Sequence, residues 1–169
     1  ADTIVVWGPD LKEESPTLYL RVRRAAQELG VKLIVVHPRA TGLDDRATQK
    51  LSYRPGGGFT LLDEIAAGRH PETMALLSTG RVVVIVGQAS MADGPALSES
   101  VAAFIRSRAG SVRILPLAHR ANTFGALDMG LGPDLLPGRV HVGAVGCANL
   151  AAVWGEVPTT PGFDTAQIL

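Results

Sequence analysis

The sequence predicts an α/β fold, a doubly wound and mostly parallel sheet with helices on both faces. Three observations predict it. The strand candidates, such as Leu33-Ile34-Val35-Val36 and Val82-Val83-Val84-Ile85-Val86, are continuous apolar runs rather than alternating ones, the pattern of strands covered on both sides. A strand–helix–strand unit with clear punctuation occurs twice. At 169 residues, 46% hydrophobic and 19% charged, the chain is long enough for one domain with a sizeable core.

The elements follow in order. A strand near 3–7 ends in the turn Gly8-Pro9-Asp10. Ser15 suits an N-cap and Pro16 the first helical position, after which Leu18, Val22, Ala25, Ala26 and Leu29 share a face while Arg21, Arg23, Arg24 and Glu28 face away. Gly30 suits a left-handed cap, and a strand near 32–36 runs into His37-Pro38-Arg39. The next crossover is long, with helices expected near 59–67 and 72–78, the second opened by His70-Pro71. A strand near 82–86 leads to Asp93-Gly94-Pro95, which opens a helix with an apolar stripe of Leu97, Val101, Phe104, Ile105 and Ala109. Gly110 closes it, and a strand near 112–115 follows. Crossovers in such a sheet are right-handed. From 116 to 161 periodicity lapses while Gly and Pro are dense, so this stretch is expected to be irregular within a single domain spanning 1–169. Irregular stretches of this length are uncommon in compact domains and are usually functional, partner-bound or wrongly assigned.

Composition excludes several function classes. Sixteen Lys/Arg balance sixteen Asp/Glu, leaving no basic field for nucleic acid. The apolar runs are too short to span a bilayer, so no direct membrane insertion is expected. Cys147 is the single cysteine, which rules out an internal disulfide and any multi-thiolate metal site within the chain; it is expected to be a small buried residue. The chain starts on a strand and stops just after a helix start at Asp164-Thr165, as a piece of a larger polypeptide would.

No catalytic or metal site is legible. The turn after the first strand lacks Gly-x-Gly-x-x-Gly and places Glu13 and Glu14 beside a helix N-terminus, where they suit the helix dipole but repel phosphate. Gly87-Gln88-Ala89-Ser90 reads as an ordinary strand–helix connection. His37, His70, His119 and His141 have no metal-ligand spacing. No Gly-x-Ser-x-Gly occurs, and Asp44/Asp45 and Glu13/Glu14 read as solvated turn and cap residues.

Three blocks, VVWGPDLKEESP, LIVVHPRATG with LSYRPGG, and NTFGALDMGLGPDLLPGR, resemble the molybdopterin oxidoreductase superfamily, which includes formate dehydrogenases and the G subunit of bacterial NADH-quinone oxidoreductases. With the strands between them they cover most of residues 3–139. The stretch GPDLKEESPTLYLRVRRAA is more similar to the G-subunit branch, as is the short segment linking Gly58 to Asn122. The resemblance implies a Rossmann-like domain. In catalytic members a strand ending in Asp-Pro-Arg and a later Arg-Pro-Gly-Thr-Asp turn hold the guanine of a molybdopterin guanine dinucleotide, their two acids accepting from guanine N–H groups.

Here those acid positions are His37 and Gly58. Losing a carboxylate that accepts from a buried guanine edge strands donors at roughly 1–3 kcal/mol each. The pocket positions Gly8, His37, Arg39, Thr41, Arg54, Gly58 and Asn122 are therefore expected to be vestigial, with no cofactor held by this chain. Likeness to the G-subunit branch further implies a scaffold domain among other peripheral-arm subunits, on the cytoplasmic side of the bacterial inner membrane. Iron–sulfur clusters would lie elsewhere in the parent chain, in a complex passing electrons from NADH to quinone. The alternative implied by the same family is a nucleotide-binding domain of formate dehydrogenase type, using Gly8, Arg39, Thr41, Arg54 and Asn122; a free-standing binding module is a third reading.

Overall fold

A computed structural model describes residues 1–94, 96–118, 122–143, 145–163 and 165–168. Where the sequence reads as one domain, these residues form two compact units, Ala1–Leu117 and Ala118–Leu169.

The first unit is the α/β sheet. Its strands are β1 (Thr3–Trp7), β2 (Lys32–Val36), β3 (Gln49–Leu51), β4 (Arg81–Val86) and β5 (Ser111–Pro116). They are all parallel, in the order β3-β2-β1-β4-β5. The chain winds outward from β1 through β2 to β3, then returns to the other side of β1 for β4 and β5, so the winding reverses between β1 and β4. The sequence predicts four of these strands. β3 escapes it because Gln49-Lys50-Leu51 is short, and at a sheet edge a strand can be polar where a central one cannot.

The helices are α1 (Leu11–Glu14), α2 (Pro16–Glu28), α3 (Gly58–Ala66), α4 (Pro71–Leu77) and α5 (Ala96–Arg108). They lie on both faces because alternate strand residues point to opposite sides. On one face Val5, Trp7, Ile34, Val36, Val82 and Val84 pack with Leu61, Leu62 and Ile65 of α3, Leu77 of α4, and Leu97, Val101 and Ile105 of α5. On the other, Ile4, Val6, Leu33, Val35 and Ile85 pack with Leu11 of α1 and Val22 of α2. Leu33, Val84 and Val101 are wholly buried, each worth about 1.5–3 kcal/mol. This two-sided burial is what makes the strand runs continuously apolar.

Several expectations are corrected in detail. Ser15 does not cap α2 through its side chain; instead its amide donates to the Leu11 carbonyl at 3.0 Å and closes α1, a helix the sequence does not announce. Leu29 is exposed because it is the C-cap with φ −107°, outside the helical stripe. Gly30 does adopt the left-handed cap, with φ +66°, whereas Gly110 is not among the glycines of positive φ. Phe104 and Ala109 are only partly buried. Pro95 lies outside the described residues.

The stretch expected to be irregular carries short elements within the second unit. These are α6 (Thr123–Asp128), an antiparallel pair of β6 (Leu135–Leu136) and β7 (Val140–His141), α7 (Cys147–Trp154) and, beyond 161, α8 (Thr165–Ile168). Elements of two to eight residues are too short for a periodic signature. The expected helix start falls partly on Asp164, outside the described residues. Cys147 is half-buried rather than buried, its thiol donating to the His141 carbonyl at 3.3 Å. No helix among the described residues is long and apolar enough to cross a membrane.

Candidate functional site

In a doubly wound sheet the ligand crevice lies beyond the carboxyl ends of the strands, where the winding reverses. Here that place is between β1 and β4, flanked by the turns after β2 and β3. Backbone hydrogen bonds tie these ends together: Gly8 N–H donates to the Val36 carbonyl at 3.0 Å, His37 N–H to the Leu51 carbonyl at 3.2 Å, and Gly87 N–H to the Trp7 carbonyl at 3.0 Å.

The β1 turn is closed against β4. Gly8 has φ +97°, and a Cβ built on it meets the Gly87 carbonyl oxygen at 2.2 Å and the Ala89 amide at 3.3 Å. Past it, Asp10 and Glu14 serve the short helix α1. The Asp10 carboxylate accepts from Lys12 N–H at 3.2 Å and the Asp10 amide donates to Glu14 at 2.9 Å, a reciprocal cap of the kind that satisfies exposed helix donors. Glu14 is therefore a cap residue, as the sequence reads it, while the N-cap itself is Asp10, which the sequence does not single out; both stand where a phosphate would need donors.

The β2 turn is self-satisfied as well. His37 is 4% exposed, and its Nδ1 sits 3.0 Å from both the amide nitrogen and the carbonyl oxygen of Arg39. In the tautomer that leaves Nδ1 bare, it accepts from the Arg39 amide two residues on, the turn contact an aspartate oxygen ordinarily makes. In either tautomer Nδ1 is engaged by the backbone of its own turn. Thr41 is engaged by Asp44, whose Oδ1 accepts from the Thr41 hydroxyl at 2.7 Å and the Thr41 amide at 3.1 Å. Asp44 also pairs with Lys50 of β3, so it is not the solvated turn acid the sequence suggests.

Partial burial works against the Asp44 charge, but the Lys50 and Thr41 hydrogen bonds outweigh it and hold the carboxyl below its ordinary value of 3.8. A carboxyl depressed in the folded state stabilises the fold above the unfolded value, and that contribution is lost as pH falls through the folded one. Asp44→Asn is accordingly expected to show a shallower loss of stability than the parent chain below about pH 4, measured by urea unfolding across an acid series. Superimposable acid limbs would refute this.

The β3 turn carries the clearest departure from a guanine pocket. Gly58 opens α3 and is buried, and a Cβ built on it meets Leu97 Cδ2 at 2.2 Å and Asp93 Oδ1 at 3.1 Å. The space a side chain needs there is already filled from α5 and from the loop before it. Asp93, only 6% exposed, accepts through Oδ1 from the Gly56 amide at 3.1 Å and the Gly58 amide at 3.4 Å, and through Oδ2 from the Tyr53 hydroxyl at 3.3 Å. Burial, and then the Asp93 charge and hydrogen bond, push the Tyr53 phenol well above its ordinary range, so it stays a donor. Sequence reasoning misses Asp93, because Asp93-Gly94-Pro95 reads locally as a helix opening and its partners lie 35 to 40 residues away.

Six of the seven pocket positions therefore lie at the carboxyl ends of β1, β2 and β3. Arg39 and Arg54 are exposed. The seventh, Asn122, belongs to the second unit, where it precedes α6 and lies against its own helix, its Oδ1 2.3 Å from a Cβ built on Gly125. These turns do not fit a guanine base: His37 is spent on its own turn, a side chain at position 58 would have to displace Leu97 Cδ2, and the nearest carboxylate, Asp93, is already satisfied. Gly87 continues into an ordinary connection, its carbonyl accepting from the Ser98 hydroxyl at 3.2 Å.

Among the described residues no three His, Cys, Asp or Glu side chains gather as a metal site. His70 faces Glu64 at 3.7 Å and the exposed His141 faces Asp134 at 2.8 Å; His119 lies outside the described residues.

Comparison with known proteins agrees with this architecture. The chain is 34% identical over 173 residues to the G subunit of the NADH-quinone oxidoreductase of Mycobacterium bovis, covering 100% of this chain and 21% of that protein. It is 32% identical over 180 residues to the protein of the same name from Streptomyces coelicolor, again covering 100% of this chain and 21% of the relative. Likeness to the alpha subunit of the NADPH-Fe(3+) oxidoreductase of Geobacter sulfurreducens is 26% over 221 residues, 100% of this chain and 26% of that one. The chain thus spans about a quarter or less of the length of these relatives. The molybdopterin oxidoreductase family model matches residues 1–140, a span holding the whole sheet and every pocket position, and the chain belongs to that family.

Proposed function

We propose that this chain is part of the molybdopterin-oxidoreductase-like domain of the G subunit of an NADH-quinone oxidoreductase, where it serves as scaffold and inter-subunit contact and holds no molybdopterin. The observation that carries the reading is the filled position 58: the turn that catalytic members use against guanine has Leu97 and Asp93 where its acid would stand. A family fold whose ligand turns are satisfied from within has kept its packing and given up the recognition chemistry.

In this reading the parent complex transfers electrons from NADH to quinone through iron–sulfur clusters bound elsewhere in the parent chain. As part of that complex the chain lies peripherally, on the cytoplasmic side of the bacterial inner membrane. Partners are other peripheral-arm subunits, with neither nucleic acid nor direct membrane insertion. The second unit supports a contact role, since Phe124, Met129, Leu131, Val145, Val153 and Trp154 are all more than half exposed, more large apolar surface than so small a unit ordinarily leaves to water.

Metal and pterin analysis of the full-length protein tests the proposal. The expected result is iron and sulfide without molybdenum, tungsten or a guanine-containing pterin. Stoichiometric molybdenum or tungsten with that pterin would overturn it in favour of a formate-dehydrogenase-type enzyme.

A further inference from the structure

The turn Arg54-Pro55-Gly56-Gly57-Gly58 has the makings of an anion cradle. Gly56 has φ +83° and Gly57 φ −94°, an alternation that turns successive amides toward one side. The loop runs into the N-terminus of α3, where amides lack helical partners and the dipole favours negative charge. The Gly57 amide is used within the loop, donating to the Arg54 carbonyl at 2.7 Å. The Gly56 and Gly58 amides converge on Asp93 Oδ1, and the Tyr53 hydroxyl reaches the other oxygen of the same carboxylate. That carboxylate comes from the turn after β4 and is almost wholly buried. The missing side chain at Gly58 is what lets it approach, its Oδ1 lying 3.1 Å from where a Cβ would be.

We propose that Asp93 is a built-in ligand: an internal carboxylate that fills the anion cradle of the β3 turn and ties it to the β4 turn. This deepens the scaffold reading, and takes from it only the premise that no guanine occupies the turn. A buried carboxylate with three donors is a charge-assisted network, and removing it leaves those donors unpaired in a space the size of a carboxylate. An external carboxylate should then enter and take its place.

Amide hydrogen exchange on peptides spanning 52–60 in the full-length protein, read by mass spectrometry, is the test. Asp93→Ala is expected to speed exchange of the Gly56 and Gly58 amides about 10- to 100-fold. Sodium formate is expected to slow it again, while sodium chloride at equal ionic strength does not. Exchange within twofold of wild type, or fast exchange indifferent to formate, would overturn the assignment. Should Asp93→Ala not fold, Asp93→Asn decides, because it keeps an acceptor but loses the charge. Exchange should then rise about 3- to 10-fold with no response to formate, and unchanged exchange counts against the proposal. These local readouts stand apart from metal and pterin content, by which the scaffold reading is judged.

Discussion

Gly58→Asp, which places a carboxylate at the position where catalytic relatives are expected to carry one, is expected to destabilise the chain by about 4 kcal/mol or more. Two costs add. The new Cβ collides with Leu97 Cδ2 at 2.2 Å, and overpacking of this kind costs roughly 1–3 kcal/mol when the neighbour can shift. The new charge is buried beside Asp93 without a counter-ion, and an uncompensated buried charge costs about 3–5 kcal/mol. Gly58→Ala isolates the first cost and should lose about 1–3 kcal/mol. Adding Leu97→Ala to Gly58→Asp makes room without neutralising charge, so the double variant should remain well below Leu97→Ala alone. Urea unfolding monitored by circular dichroism measures all four chains; a Gly58→Asp variant within about 1 kcal/mol of the parent would sink the idea of a filled position.

The consequence reaches function. Against a total stability of about 5–15 kcal/mol for a domain, such a loss means that an acid placed at position 58 alone would not turn this site into one for guanine. Leu97 and Asp93 would have to move as well. The absence of the acid is thus built into the packing of α3 against α5, beyond a single change of residue.

The sheet was legible because its cause is local. Each central strand is buried on both faces, so Val5, Ile34 and Val84 sit in continuous apolar runs, and α2 and α5 show their stripes at the spacing that buries Val22, Val101 and Ile105. β3 and the elements after Pro116 were not legible, for lack of length. The pocket positions could be named only through the family resemblance of the turns, and six of them lie at the strand ends. What fills those turns could not be read. Asp93 and Leu97 act on Gly58 from more than 30 residues away, and His37, bonded within its own turn, looks in sequence like any lone histidine.

Gly8→Ala is the second large effect, expected at about 3 kcal/mol or more. A left-handed residue with a side chain costs about 1–2 kcal/mol. Gly30 measures that part alone, since its φ is +66° with open space around it, and Gly30→Ala should cost only about 1–2 kcal/mol. Gly8 adds to strain a contact with backbone: the Gly87 carbonyl oxygen, 2.2 Å from the new Cβ, belongs to a residue whose own amide bonds to Trp7, so it can withdraw only by opening the β1–β4 junction. Gly87→Ala supplies the control from the opposite side, because its Cβ would meet Pro9 at 3.4 to 3.5 Å without positive φ and should be nearly neutral. If unfolding experiments place Gly8→Ala level with Gly30→Ala, the two turns are not in close contact. A crevice would then be open where the winding reverses, and the scaffold reading would lose the support it draws from closed turns.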